Sequence, residues 1–196
     1  MNESIDIKKQ LEVKNKEIYM NKLNLDLDNN LEVLVLTIDN LLNYITSDVT
    51  KKIIEIEESF SLTEEIQDNV NKFINTYRDN LMNLLEIKKN NLQNVLVIQD
   101  DLEICRDNLN DNYLNLKNNL EDFSKENISS LVNDLKKVIE DSFKRKRLKD
   151  YLNNIFIINL NKKILDIIKN RDVILMNTFN ETYLKYLELN KNTVGV

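Results

Sequence analysis

The sequence contains no proline, no histidine and no alanine, and its only glycine is Gly195. Glycine supplies the positive φ angles of tight hairpins and phosphate-binding loops, and proline fixes rigid turns. A β-sandwich or a doubly wound α/β fold needs many such turns, whereas long helices need few. The missing residue types therefore predict an all-α fold. Because alanine is the best helix former and asparagine is abundant here, we expect the helices to depend on packing more than on propensity.

The absence of histidine also removes the commonest catalytic and metal sites. Histidine is the usual general acid–base near neutral pH and the usual metal ligand. The single cysteine, Cys105, cannot build a zinc site, and we expect it to be a small buried apolar residue. Without internal glycines there is no phosphate-binding or dinucleotide-binding loop. We therefore predict no catalytic residues, no metal, no cofactor and no small-molecule substrate.

No part of the sequence has the pattern of a targeting or membrane-spanning segment. No charged-then-apolar secretory segment opens the chain, and apolar runs such as residues 155–158 are far shorter than the ~20 residues that span a bilayer. One cysteine cannot form an intramolecular disulfide. These features predict a soluble protein of the reducing cytoplasm.

The strongest pattern is a heptad-like seam through the middle of the sequence. Core positions alternate at steps of four and three from Leu81 to Phe123, which is the spacing of a helix face packed against another helix. The polar members of this seam are Lys88, Gln99 and Arg106. They either fix the register of the helix pairing or mark where the seam meets solvent or a partner, and the sequence leaves both interpretations open.

Three long helices account for the periodicity along the chain. We predict an antiparallel bundle with coiled-coil-like packing, made of about three long helices in a single elongated domain over residues 1–190. Ser61 and Glu64 form a capping box at the start of the second helix. The predicted helices cover residues 3–58, 61–124 and 127–189.

Two of these helices contain polar clusters that could interrupt them. We allow for breaks near residues 28–30 and 170–172, and we expect a disordered tail at residues 191–196. An alternating stretch at residues 23–35 also fits a β-hairpin. We disfavour that alternative because an isolated hairpin would have no sheet to join.

One segment suggests a functional surface, and we call it the basic stretch. Its functional interpretations are a partner-binding surface for an anionic membrane or for nucleic acid, or a nuclear import signal if the cell has a nucleus. The structural interpretation is a solvent-exposed helix face that pairs with acidic side chains on the preceding helix. A chain reversal near residue 125 would place Arg145 opposite Asp107 and Lys149 opposite Glu103, which favours the structural interpretation. The basic stretch consists of Lys144, Arg145, Lys146, Arg147 and Lys149.

These features together predict a non-catalytic structural or interaction protein, a scaffold or tether that acts through helix–helix packing. Its expected partners are other proteins, with a second copy of the chain as one option. The alternatives are a peripheral membrane protein or a nucleic-acid-binding helix, both acting through the basic stretch. The net charge of −6 weighs against both alternatives because their ligands are anionic.

Overall fold

The computed structural model describes residues 2–57, 63–98 and 102–194. Every regular element in these ranges is helical, which confirms the predicted all-α fold. In chain order the elements are α1 (Asn2–Glu57), α2 (Thr63–Ile98), α3 (Leu102–Asp134), a 3₁₀ turn (Leu135–Lys137), α4 (Ser142–Asn153), a π-helical segment (Asn154–Leu160) and α5 (Asn161–Val194). Because α4, the π-helical segment and α5 follow one another without a gap, the described residues form four long helical units: α1, α2, α3 and α4–α5.

The four units run alternately in opposite directions, as cross-helix contacts show. Residue numbers fall along one helix as they rise along its neighbour, and this inverse relation holds for α1 with α2, α2 with α3, and α1 with α5. In contrast, α2 and α5 advance together, which makes them diagonal neighbours in the bundle. The contacts are Asp28–Lys89 and Asp39–Arg78, then Lys72–Asp134 and Asn91–Asn112, then Asn15–Asn190 and Asn30–Arg171, and for the diagonal Tyr77–Asn161 and Lys88–Asp172.

The core lies where the four units face one another. A larger cluster of buried side chains fills the end of the bundle that contains the π-helical segment. A smaller cluster lies toward the opposite end, and Cys105 is buried within it, as the sequence predicts. No described helix combines the length and the apolarity needed to cross a membrane.

The prediction of one continuous helix over residues 61–124 is wrong. α2 and α3 take its place and pack against each other in opposite directions. The seam continues in the sequence because each helix buries its own stripe in the same core, Leu81 from α2 and Leu120 from α3. The two stripes stay in phase across residues 99–101, so the periodicity carries no sign of the reversal. The N-cap residue Ser61 of the predicted capping box lies outside the described residues.

The predicted third helix, residues 127–189, begins too early because α3 continues to Asp134. Ser124 is the last residue of the predicted second helix, but it lies inside α3, where its Oγ donates a hydrogen bond to the Leu120 carbonyl at 2.8 Å. The chain reverses after Asp134 instead, and α4 begins after its N-cap residue, Asp141.

The breaks predicted near residues 28–30 and 170–172 do not occur, because α1 and α5 are continuous there. Polar residues of the two clusters pair with each other across the helices: Arg171 Nε donates to Asn30 Oδ1 at 3.1 Å. The continuity of α1 also excludes the β-hairpin alternative. α5 likewise includes residues 191–194, where the sequence predicts a disordered tail.

Candidate interaction surfaces

Lys88, a polar member of the seam, lies inside the bundle. Its Nζ donates to both carboxylate oxygens of Asp172 on α5, at 2.5 and 2.7 Å. Burial lowers the pKa of Lys88 and raises the pKa of Asp172, and at each group the charge of the partner opposes the shift. The adjoining cavity has a volume of only about 20 Å³, enough for one water-sized molecule. The pair therefore joins two diagonal helices, and this small cavity has no room for a larger ligand.

A second buried polar cluster joins three helices at the start of α5. Tyr77 Oη donates to Asn161 Oδ1 at 2.5 Å, and Asn161 Nδ2 donates to Ser124 Oγ at 2.8 Å. Burial raises the pKa of the Tyr77 hydroxyl, which therefore stays protonated and acts as a donor. No sequence pattern predicts this cluster, because Tyr77 and Asn161 are 84 residues apart.

The other two polar seam residues differ from Lys88 in their placement. Gln99 lies outside the described residues. Arg106 is exposed and lines a groove between α3 and α5. Positions that the heptad pattern treats as equivalent therefore lie in opposite environments, Lys88 between helices and Arg106 at the surface.

The α3–α5 groove runs along the outside of the bundle. Its two adjoining parts have volumes of about 500 and 420 Å³, and Tyr113 lines both. Lys169 Nζ lies 6.0 Å from the centre of the Tyr113 ring. Between residues 158 and 177 the groove is about 29 Å long at the helical rise of 1.5 Å per residue. Three of its large apolar residues are more than half exposed: Leu114 at 57%, Ile158 at 59% and Val173 at 57%.

The rim of the α3–α5 groove is basic. Two of its three carboxylates already have a cation, since Glu121 pairs with Lys125 at 3.4 Å and Asp172 pairs with Lys88. Asp166 is the only lining carboxylate without an ion pair among the described residues. Four cations line the groove, and none forms an ion pair within the same ranges: Arg106, Lys117, Lys162 and Lys169. The unpaired charge of the rim is therefore positive.

The basic stretch lies on α4, at the outside of the bundle. Lys146, Arg147 and Lys149 are exposed, and Lys144 and Arg145 are half-buried. Within the part of the chain that the structure describes, none of the five forms an ion pair. The neighbouring Lys136 and Lys137 are exposed as well, so the positive surface extends beyond α4.

The predicted pairing of the basic stretch with acids on the preceding helix is wrong. It set Arg145 against Asp107 and Lys149 against Glu103. Because the chain reverses only after Asp134, α4 follows the far end of α3, about 40 Å along the helix from Asp107 at 1.5 Å per residue. Those two pairs are therefore out of reach.

Besides its contact with α3, α4 packs near the C-terminal part of α1. Lys52 Nζ lies 5.9 Å from the centre of the Tyr151 ring. Burial raises the pKa of the Tyr151 hydroxyl, and the carboxylates of Asp48 and Glu55 raise it further. The acids near α4 are therefore on α1 rather than on the first turns of α3.

α1 carries a second apolar face besides the one it buries. We call it the outer α1 stripe, and at 3.6 residues per turn its members lie within about 40° of one another. The buried residues of α1, such as Tyr19, Leu27 and Leu34, lie on the opposite side. Within the described residues, no other part of the chain covers this stripe. Its members are Ile7, Leu11, Ile18, Leu25 and Leu36, each between 41% and 59% exposed.

Among the described residues, no three acidic or cysteine side chains cluster as a metal site would require. Compared with known protein families, curated proteins and solved structures, the chain shows no significant match to any of them. The α3–α5 groove, the basic stretch and the outer α1 stripe are therefore the surfaces from which a function can be inferred.

Proposed function

We propose that the protein is a non-catalytic interaction protein, a scaffold or tether that acts through helix–helix packing, and that its α3–α5 groove receives an amphipathic helix of a protein partner. The exposed apolar floor of the groove supports this proposal above all. Covering apolar surface is favourable in water, and a helix can lay one apolar face into a groove of this length.

The charges around the groove define the chemistry of the partner. Arg106 and Lys169 line one part of the groove and Lys117 and Lys162 the other. Against them stands one carboxylate, Asp166, that has no ion pair within the described ranges. A positive rim steers and orients a ligand of opposite charge. The expected partner helix therefore has apolar residues three and four positions apart and acidic residues on both flanks.

The side-chain chemistry supports binding rather than catalysis. The chain has no histidine, the commonest general acid–base. The groove is lined by apolar residues, amides, a tyrosine, three carboxylates and exposed cations. The chain has a single cysteine, which is buried, and such cysteine use is typical of a reducing compartment. We therefore propose that this interaction takes place in the cytoplasm.

Site-specific photo-crosslinking in the native cell tests this proposal. A benzophenone amino acid at Val173, in the floor of the groove, should capture one dominant protein partner. The captured peptide should have apolar residues at helical spacing and acidic flanks. The matched control places the same amino acid at Tyr44, which is 71% exposed on α1 and lines neither part of the groove. This control should not capture that partner.

Charge reversal provides the second arm of the same experiment. Arg106→Glu with Lys169→Glu should reduce capture at Val173 several-fold, since both changes place negative charge beside an acidic ligand. The proposal is contradicted if Val173 captures nothing beyond the Tyr44 control. It is also contradicted if the captured segment has no apolar helical face.

A second candidate function is contact of the basic stretch with an anionic membrane or with nucleic acid. It is supported by the lack of ion pairs at the five cations within the described residues. Co-sedimentation with anionic liposomes and gel-shift with duplex DNA, both at low salt, test it. Binding that Lys146→Glu with Arg147→Glu abolishes, and Lys8→Glu with Lys9→Glu leaves intact, would support it. No binding at low salt would remove it.

A further inference from the structure

We propose that the outer α1 stripe pairs two copies of this chain into an antiparallel dimer with two-fold symmetry. The stripe lies on the outer face of α1, and α1 is diagonal to α3 in the bundle, so the stripe is separate from the α3–α5 groove. The inference therefore goes beyond the groove's partner and does not depend on it. Its starting point is a row of five large apolar side chains on a face that the described part of the chain does not cover.

The dimensions of the stripe suit a reversible dimer. From Ile7 to Leu36 the stripe is about 44 Å long, and a helix face is roughly 10 Å wide. Two such faces packed together would bury on the order of 450 Å² on each copy, or about 900 Å² in total, which lies just below the ~1,000 Å² at which specific interfaces begin. Contacts from the flanking side chains add to this area. We therefore expect a dimer that dissociates on dilution.

Four of the five apolar residues of the stripe pair with one another in one antiparallel register, in which Leu11 faces position 32 of the second copy. If Ile18 of one copy faces Leu25 of the second copy, then Ile7 faces Leu36 of the second copy, because both pairs are centred between residues 21 and 22. Each copy contributes the same contacts, as a two-fold interface requires. Four large apolar side chains of each copy thus cover four of the other.

The charges beside the stripe favour the antiparallel over the parallel orientation. Lys14 and Glu32 flank it, and neither has an ion pair among the described residues. In the antiparallel register Lys14 lies within one helical turn of Glu32 of the second copy, so opposite charges meet. A parallel pairing in register would instead place Lys14 beside Lys14 and Glu32 beside Glu32 of the second copy, so like charges would meet. Near the two-fold axis, Lys22 is already paired with Asp26 of its own helix at 2.8 Å.

Sedimentation equilibrium of the full chain over a wide concentration range tests the dimer. The native chain should shift from monomer to dimer as its concentration rises. Ile18→Glu should weaken dimerisation at least about tenfold, because it buries an unpaired charge in the apolar interface. Tyr44→Glu is the matched control, an exposed α1 position outside the stripe, and it should leave the dissociation constant unchanged. Both positions are exposed, so equal helicity by circular dichroism should show that both variants fold.

Cysteine cross-linking tests the orientation. A mixture of Ile18→Cys and Leu25→Cys chains should form disulfide-linked heterodimers, whereas each variant alone should cross-link poorly. Cys105 is buried in both variants. Three outcomes overturn the proposal: a monomer at every concentration, equal dimerisation of Ile18→Glu and Tyr44→Glu, or efficient cross-linking of each cysteine variant with itself.

Discussion

Lys88 and Asp172 form a charged pair that the core encloses almost completely. Moving two charges out of water is costly, and their attraction offsets this cost only when the geometry and the remaining hydrogen bonds are good. The directions of the two pKa shifts show that burial outweighs the mutual attraction at both groups. We therefore expect the pair to fix the register of α2 against α5 rather than to add stability.

Substitutions at this pair separate the two roles. Lys88→Met should lower the free energy of unfolding by about 3–5 kcal/mol, because it leaves the Asp172 carboxylate buried and unpaired. Lys88→Met combined with Asp172→Leu should be as stable as the native chain or more stable by about 1–4 kcal/mol. Urea denaturation measures both differences. A double variant as unstable as Lys88→Met alone would contradict this expectation.

The same pair predicts a pH dependence of stability. The pKa of Asp172 is higher in the folded than in the unfolded chain. Its contribution to the free energy of unfolding is therefore complete below about pH 4 and is lost as the pH rises through the folded pKa. The pKa of Lys88 is lower in the folded than in the unfolded chain. Its contribution to the free energy of unfolding is therefore complete above about pH 10.4 and is lost as the pH falls through the folded pKa. The stability advantage of the double variant over the native chain should therefore be largest near neutral pH and shrink toward both extremes. Urea titrations across the pH range would contradict this if the advantage were constant or grew at the extremes.

At the scale of the helices, the sequence determines the kind of element better than its ends. The lack of proline and of internal glycine, together with the helical spacing of apolar residues, predicts helices correctly. Few turns can form without glycine and proline, and the apolar spacing matches one face of a helix. Glycine, proline and capping side chains normally mark helix ends. In this chain asparagine and serine recur throughout, and several of them, such as Ser124 and Asn127, are buried inside helices. A polar cluster therefore cannot by itself distinguish a turn from an inter-helix contact.

The candidate surfaces were predictable only where they belong to one helix. The basic stretch and the spacing of the outer α1 stripe are visible in the sequence. The α3–α5 groove brings together Arg106 and Lys169, and the buried ion pair brings together Lys88 and Asp172, from helices far apart in the chain. Their meeting depends on where the chain reverses. The wrong reversal near residue 125 was the reason the pairing of the basic stretch was wrong.

The start of α4 depends on a single N-cap. Asp141 Oδ1 accepts a hydrogen bond from Phe143 N at 2.8 Å, and its side chain also lies near the positive end of the helix dipole. Asp141→Ala should reduce the free energy of unfolding by about 1 kcal/mol and increase hydrogen exchange at the Phe143 amide. Asp141→Ser keeps a capping oxygen and should recover most of the loss. Equal destabilisation by alanine and serine would show that the cap contributes little.

At the scale of the whole molecule, the bundle leaves three surfaces on different parts of its exterior. The outer α1 stripe faces away from the diagonal helix α3, the groove lies between α3 and α5, and the basic stretch occupies α4 at the end where the chain reverses. A body with separate surfaces can hold more than one partner at the same time. This arrangement suits the scaffold or tether that we propose.

The groove between α3 and α5 exists only because α2 folds back against α3. Asn91 Nδ2 and Asn112 Oδ1 lie 3.5 Å apart across these two helices. Spin labels at Asn91→Cys and Asn112→Cys, in a chain with Cys105→Ala, allow pulsed electron paramagnetic resonance to measure this separation. The four-unit bundle predicts labels on neighbouring helices, at the short limit of the method. One continuous helix would separate the two positions by about 31 Å at 1.5 Å per residue, and a distance distribution centred there would contradict the bundle and the groove together.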